Sequence, residues 1–140
     1  MKYLAALSLF FVLSFGASFA MADQVTDLCA GQPAPGVNMH YPLTVMPSVV
    51  SGKITATVRK DIRCYKVGDV LTLTDPNDQG NYGKVKVEKV VFTNFNALSQ
   101  DIVSRTGETS IQSLQQELIT AYGQDIKSHQ LTEIYFTIFK

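Results

Sequence analysis

Polar and apolar residues alternate most regularly in the stretch ITATVRKDIRCYKVGDVLTL, residues 54–73. Ile54, Ala56 and Val58 point one way and Thr55, Thr57 and Arg59 the other, which predicts a half-buried strand over 53–59. Its polar face carries two hydroxyls and a guanidinium, suited to water or a polar pocket. Lys66-Val67-Gly68-Asp69 predicts a turn, with Gly68 free to take a positive φ and Asp69 able to accept from nearby backbone amides. A strand over 69–74 follows, with Val70, Leu71 and Leu73 buried.

The flanking pattern supplies the remaining elements. A short strand over 37–41 stops at Pro42, and one or two helical turns over 43–51 tolerate Pro47 in the first turn and end at Gly52. Residues 75–81, rich in Asp, Asn, Pro and Gly, read as a hairpin loop. The strand over 82–93 changes parity: Val85 and Val87 share one face, Val90 and Phe92 the other, so a bulge near Lys89 is expected. Residues 94–103 suggest a short helix with Phe95, Leu98 and Ile102 on one side, followed by a loop over 104–108. The clearest helix spans 109–122, with a Thr109/Gln112 capping box, an apolar stripe of Ile111, Leu114, Leu118, Ile119 and Tyr122, and Gly123 as its stop. A loop over 124–130 leads to a closing strand over 131–139, with Ile134, Phe136 and Ile138 on one face and Tyr135 and Phe139 burying the other. There is no internal repeat.

Composition changes this picture at the start of the chain. Of 140 residues, the first ~20 have the layout of a secretion signal: Lys2, an apolar run from Leu4 to Phe15, then small residues at Ser18, Ala20 and Ala22. The run is short for a membrane span, so cleavage after Ala20 or Ala22 is expected, with no stable span afterwards. The expected organisation is a signal over 1–22, an irregular Gly- and Pro-rich leader over 23–36 and a single domain over 37–140, placed in the periplasm or outside the cell. Loss of Lys2 from a chain with 12 basic and 12 acidic residues leaves one net negative charge. Such a balance gives no electrostatic drive toward duplex nucleic acid.

The two cysteines, Cys29 and Cys64, would lie in an oxidising compartment, where a pair usually forms a disulfide. Closing a loop of about 35 residues would stabilise the fold by about 3 kcal/mol. The alternatives are two free thiols or a nucleophilic Cys64, though neither His40 nor His129 is near it in sequence to act as base. Signatures for zinc, nucleotide phosphates, a nucleophile elbow or a glycosidase carboxylate pair are absent. Nothing in the sequence calls for a metal or a cofactor.

Several segments together carry a family likeness. They are Ser51-Gly52-Lys53-Ile54-Thr55-Ala56-Thr57-Val58-Arg59, the turn Tyr65-Lys66-Val67-Gly68-Asp69-Val70-Leu71, the Thr93 to Leu98 region, the helix ending at Tyr122 and the aromatic closing strand ending Phe139-Lys140. From Val37 to Lys140 the chain resembles an ASCH domain of the PUA-like superfamily, and is most similar to the small bacterial N4-acetylcytidine amidohydrolases. The resemblance implies an α+β fold, a small β-barrel with peripheral helices, and a pocket on the Thr/Arg face of its opening strand. It also implies catalytic counterparts at Lys53, Thr57 and Glu108: a hydroxyl activated beside an ammonium, with a carboxylate moving the proton. Thr55, Arg59 and Tyr65 are the expected ligand-binding residues, Arg59 for an anionic or carbonyl group and Tyr65 for stacking.

Each residue also has an ordinary role. Lys53 suits a solvated strand end, Thr57 any strand, Arg59 an ion pair with Asp61 or Asp69, Glu108 the first turn of the next helix, and Tyr65 the core. Three functions follow: an exported domain binding a small polar ligand such as a nucleobase or nucleoside, an amidohydrolase acting on N4-acetylcytidine or a related amide, or a secreted protein-interaction module whose partner the sequence does not name.

Overall fold

The computed structural model describes residues 28–139, so the expected signal and the first residues of the leader, 23–27, lie outside the described residues. The chain divides into two units, one up to Gln32 and one from Pro33 onward. Within the first, Gln32 N–H donates to the Cys29 carbonyl at 3.1 Å. Cys29, in the first unit, and Cys64, in the second, are both disulfide-bonded.

Among the described residues five strands form one mixed sheet. They are β1 (Asn38–His40), β2 (Ala56–Lys60), β3 (Val70–Thr74), β4 (Lys84–Asn94) and β5 (Gln130–Phe139), in the order β1-β3-β4-β5-β2. Only β1 and β3 run parallel. Three helices, α1 (Met46–Val50), α2 (Gln100–Arg105) and α3 (Ile111–Tyr122), and a 3₁₀ turn over Gln124–Ser128 complete the unit. No helix among the described residues is long and apolar enough to cross a membrane.

Local chemistry explains most boundaries. The turn before β3 forms as expected: Gly68 has φ +97°, Lys66 N–H donates to the Asp69 carboxylate at 2.9 Å and Asp69 N–H to the Lys66 carbonyl at 3.0 Å. The bulge in β4 falls between Val87 and Lys89, where the pairing with β5 slips by one residue and reverses which side chains face inward. Gly123 ends α3 at φ +91°, a value that side-chain-bearing residues resist. The cap of α3 lies one residue beyond the expected Thr109: Ser110 and Ser113 exchange hydrogen bonds at 3.1 Å. The short helix α2 starts later than expected because Ser99 caps it, its hydroxyl accepting from Ile102 N–H, while Phe95 and Leu98 are buried in the preceding loop. Ile126, in a stretch expected to be loop, is fully buried in the 3₁₀ turn. Val70 and Phe139, expected inside, are exposed because each is the terminal residue of its strand.

Two hydrophobic clusters hold the sheet. One joins Ala56, Val58, Leu131 and Tyr135 to α2, α3 and Ile126. The other joins Met39, Tyr41, Leu73, Val85, Ile134 and Phe136 to Met46 and Val49. Ala56 and Val58 serve the first cluster, as the alternation predicts, but Ile54, expected on the same face, packs against the second.

The expected closed barrel is not formed. β1 and β2 are the two edges of an open ladder and do not pair. The edges are bridged by a side chain instead, Arg59 on β2 donating to the carbonyl of His40 on β1 at 2.8 Å. β1 is only three residues long, and Pro42 follows too soon for its ladder to extend along β2.

Candidate functional site

The unpaired edge of β2 borders a cavity of about 700 Å³. The chain reaches it through a constrained entry. Gly52 turns at φ +79°, and Lys53 and Ile54 N–H both donate to the Ser48 carbonyl, at 2.9 and 3.0 Å. Thr55 N–H then donates to Arg105 at the end of α2, at 2.8 Å. Thr55 accepts from Phe136 N–H at 2.9 Å, and Asp61 donates to the Gln130 carbonyl at 2.8 Å. These two bonds set the phase of the β2–β5 ladder: odd-numbered residues bond β5, and Ala56 and Val58 turn their backbone groups to the free edge.

Residues from both faces of β2 line the cavity: Ala56 and Val58 from one, Thr57 and Arg59 from the other. The expectation of a single polar strand face is thus replaced by a polar edge. His40 and Tyr41 border it from the end of β1, Lys53 and Ile54 from the entry, Glu108 from the loop before α3, and Leu114, Glu117, Leu118 and Tyr122 from α3 itself. Lys53, Thr57, Arg59 and Glu108, four of the six residues expected to form a site, share this one cavity. Thr55 and Tyr65 do not line it: Thr55 is spent on the backbone bonds above, and Tyr65 packs against the second core cluster.

The strand side of the cavity is rich in hydrogen-bond donors. Arg59 is half-buried, and its guanidinium lies 5.3 Å from the centre of the Tyr41 ring. It has no carboxylate partner among the described residues; the expected pairing with Asp61 or Asp69 does not occur. Tyr41 is 7% exposed, and its hydroxyl is buried with no hydrogen-bond partner in the described residues. Burial pushes its pKa up, opposed by the charge of Arg59 and by the closeness of Thr57 and Arg59 to the hydroxyl, so the phenol stays neutral at ordinary pH. Neither Thr57 nor Arg59 meets the hydroxyl in good hydrogen-bond geometry, so the atom counts as unsatisfied. Thr57 is itself buried.

At the rim, the His40 ring nitrogen Nε2 contacts the Asp78 carboxylate, to which Asn38 also donates at 3.1 Å. Those bonds hold the Asp78 carboxyl below the usual carboxylate range. Lys53 and Glu117 are exposed and Glu108 is half-buried. Sequence reasoning passed over Tyr41 and Glu117. Tyr41 had one available signal, an aromatic residue immediately before Pro42 at a strand end; Glu117 is indistinguishable in sequence from any solvated helix carboxylate. Among the described residues no cluster of three or more His, Cys, Asp or Glu is placed to hold a metal ion.

No protein-family model matches the sequence, and neither does any curated protein. Solved structures do match in fold. An ASCH domain from Lactobacillus crispatus JV V101 superposes with TM-score 0.53 at 12% identity, over 68% of this chain and 70% of that one. The ASCH protein of Zymomonas mobilis gives TM-score 0.52 at 18% identity, over 71% and 64%. A protein from Enterococcus faecalis V583 gives 0.52 at 16%, over 84% and 90%. At such identities the likeness is one of fold: this is an α+β, ASCH-like domain.

Proposed function

We propose that this chain is an exported ASCH-like domain that binds a small polar ligand, of nucleobase or nucleoside type, in the cavity along the free edge of β2. The observation that carries the reading is the sharing of one cavity of about 700 Å³ by Lys53, Thr57, Arg59 and Glu108, residues spread over 56 positions of sequence. A cavity of that size, with apolar walls from Val45, Ile54, Leu114 and Leu118 and a few polar groups at its margins, has the make-up of a small-molecule site. The bonded state of both cysteines suits an oxidising compartment, in keeping with a signal over residues 1–22. Calorimetry of the purified chain with a panel of nucleosides tests the reading. Saturable binding by wild type, weakened in Arg59→Ala, is expected; absence of binding, or binding indifferent to Arg59, rejects it.

A second reading is favoured by a narrower observation, the presence of Lys53, Thr57 and Glu108 in that same cavity. It makes the domain an amidohydrolase of N4-acetylcytidine or a related amide. The Thr57 hydroxyl would attack the acyl carbon, and Glu108 would carry the proton to the leaving amine. Water would then release acetate from the threonine ester. Incubation with N4-acetylcytidine decides it: turnover abolished in Thr57→Ala supports the enzyme, and no turnover leaves the binding reading alone.

A further inference from the structure

The two ends of the cavity differ in kind. On the α3 side stand two carboxylates, Glu108 and Glu117. On the strand side every polar side-chain group around Arg59 is a donor or can act as one: the guanidinium, the Thr57 hydroxyl and the neutral Tyr41 phenol. The guanidinium is held in place, by the His40 carbonyl at 2.8 Å and by the Tyr41 ring at 5.3 Å, yet it has no counter-ion among the described residues. One of its five N–H groups is used in the first of these contacts, leaving others to serve a ligand. A half-buried cation fixed without a carboxylate among the described residues, beside a buried hydroxyl with no protein partner among them, is costly unless a ligand meets both. Both costs are relieved by one kind of guest, a compact oxyanion.

The geometry points to an oxyanion subsite at this end of the cavity, with Arg59 and Thr57 as its contacts and Tyr41 as the residue that positions them. The ligand is then a molecule with an uncharged, partly apolar body and one terminal oxyanion. This rests on the binding reading above and narrows it: an anionic ligand is preferred to its neutral counterpart. The Arg59 fork accepts a carboxylate or a phosphate monoester in the same bidentate manner. Tyr41 acts from behind. Its ring supports the guanidinium at 5.3 Å, and its hydroxyl lies next to Thr57, where it can donate once the Thr57 proton turns to the guest.

Calorimetry with two matched pairs separates the sources and the outcomes. The pairs are cytidine 5′-monophosphate against cytidine, and benzoate against benzamide. The anionic member of at least one pair should bind wild type about tenfold or more tightly than the neutral member, as expected for a charge-assisted bidentate contact. The pair that shows the gap identifies phosphate or carboxylate. In Arg59→Gln both members should bind more weakly, and the gap should close because the anionic member loses about tenfold more affinity than the neutral one. Arg59→Lys should restore only part of it, because an ammonium lacks the planar fork. Tyr41→Phe keeps the ring and the stacking, and should narrow the gap several-fold without lowering the thermal midpoint. A merely structural Tyr41 would leave the gap intact, so a full gap in Tyr41→Phe removes it from the subsite. Equal affinities within both pairs, with nucleosides still bound, would overturn the oxyanion subsite and spare the binding reading. Failure of all four compounds and of the nucleoside panel would remove both.

Discussion

Two buried tyrosines, Tyr41 and Tyr135, belong to the two core clusters and differ in one respect. Each lies under cations: Arg59 at 5.3 Å from the ring of Tyr41, Lys89 and Arg105 at 5.1 and 5.4 Å from that of Tyr135. Burial raises the pKa of both. The Tyr135 hydroxyl donates to Glu133 at 2.7 Å and lies 3.0 Å from the Ser99 hydroxyl, which donates to the same carboxylate oxygen at 2.8 Å. Ser99 N–H reaches the other carboxylate oxygen at 3.2 Å. The hydroxyl of Tyr41, though close to Thr57 and Arg59, has no hydrogen-bond partner among the described residues. Saturated polar groups fasten the start of α2 to the sheet and belong to the architecture. The unsaturated hydroxyl of Tyr41 borders the cavity and belongs to the ligand site proposed above.

The contrast can be broken by mutation, beginning with the saturated side. Glu133 is 1% exposed and accepts three hydrogen bonds. Glu133→Ala strands all three donors and should cost about 3 kcal/mol or more of unfolding free energy in urea. Ser99→Ala removes the α2 cap and one of those three donors, the hydroxyl, while the backbone N–H stays, and should cost about 1–2 kcal/mol in the same experiment.

Tyr135→Phe should cost about 1 kcal/mol at neutral pH and change the alkaline limb. Burial, then the proximity of Glu133, pushes the Tyr135 phenol up to about 12 from 10.0. Between those values the unfolded chain releases a proton that the folded chain keeps, so stability falls as pH rises through that window. A shallower fall in Tyr135→Phe, seen by urea unfolding from pH 9 upward, is expected. Tyr41→Phe sits last: it deletes an unpartnered hydroxyl and should shift stability by no more than about 0.5 kcal/mol. Equal costs for the two Tyr→Phe changes would erase the distinction between architecture and site.

What could be read from sequence was what short-range chemistry decides. The Gly68-Asp69 turn, the bulge before Lys89, the Gly123 stop and the stripe on α3 each depend on neighbours within a few residues. The cap at Ser110 was missed by one position because Thr109 and Ser110 are both capping residues, and only the backbone distinguishes them. Glu133 was hidden in an apolar strand; its donors lie 34 and 2 positions away, and no local pattern announces a buried carboxylate.

The cavity was half legible. Thr57 and Arg59 stood out by alternation along β2, and Lys53 and Glu108 by resemblance. Tyr41 was not visible because its relation to Arg59 is made by the curl of the sheet, which brings the ends of β1 and β2 together without pairing them. For the same reason the barrel was overread. Long bulged strands announce curvature, but closure needs two edges long enough to pair, and β1 is three residues long.

The central claim, that the free edge of β2 borders a ligand site with Arg59 at its polar end, is most directly tested by a crystal structure of the chain with cytidine 5′-monophosphate. The account predicts the ligand in the cavity between β2 and α3, with its phosphate on the Arg59 guanidinium and the Thr57 hydroxyl. A ligand bound elsewhere, or a cavity empty at a concentration that saturates the chain in solution, would contradict it.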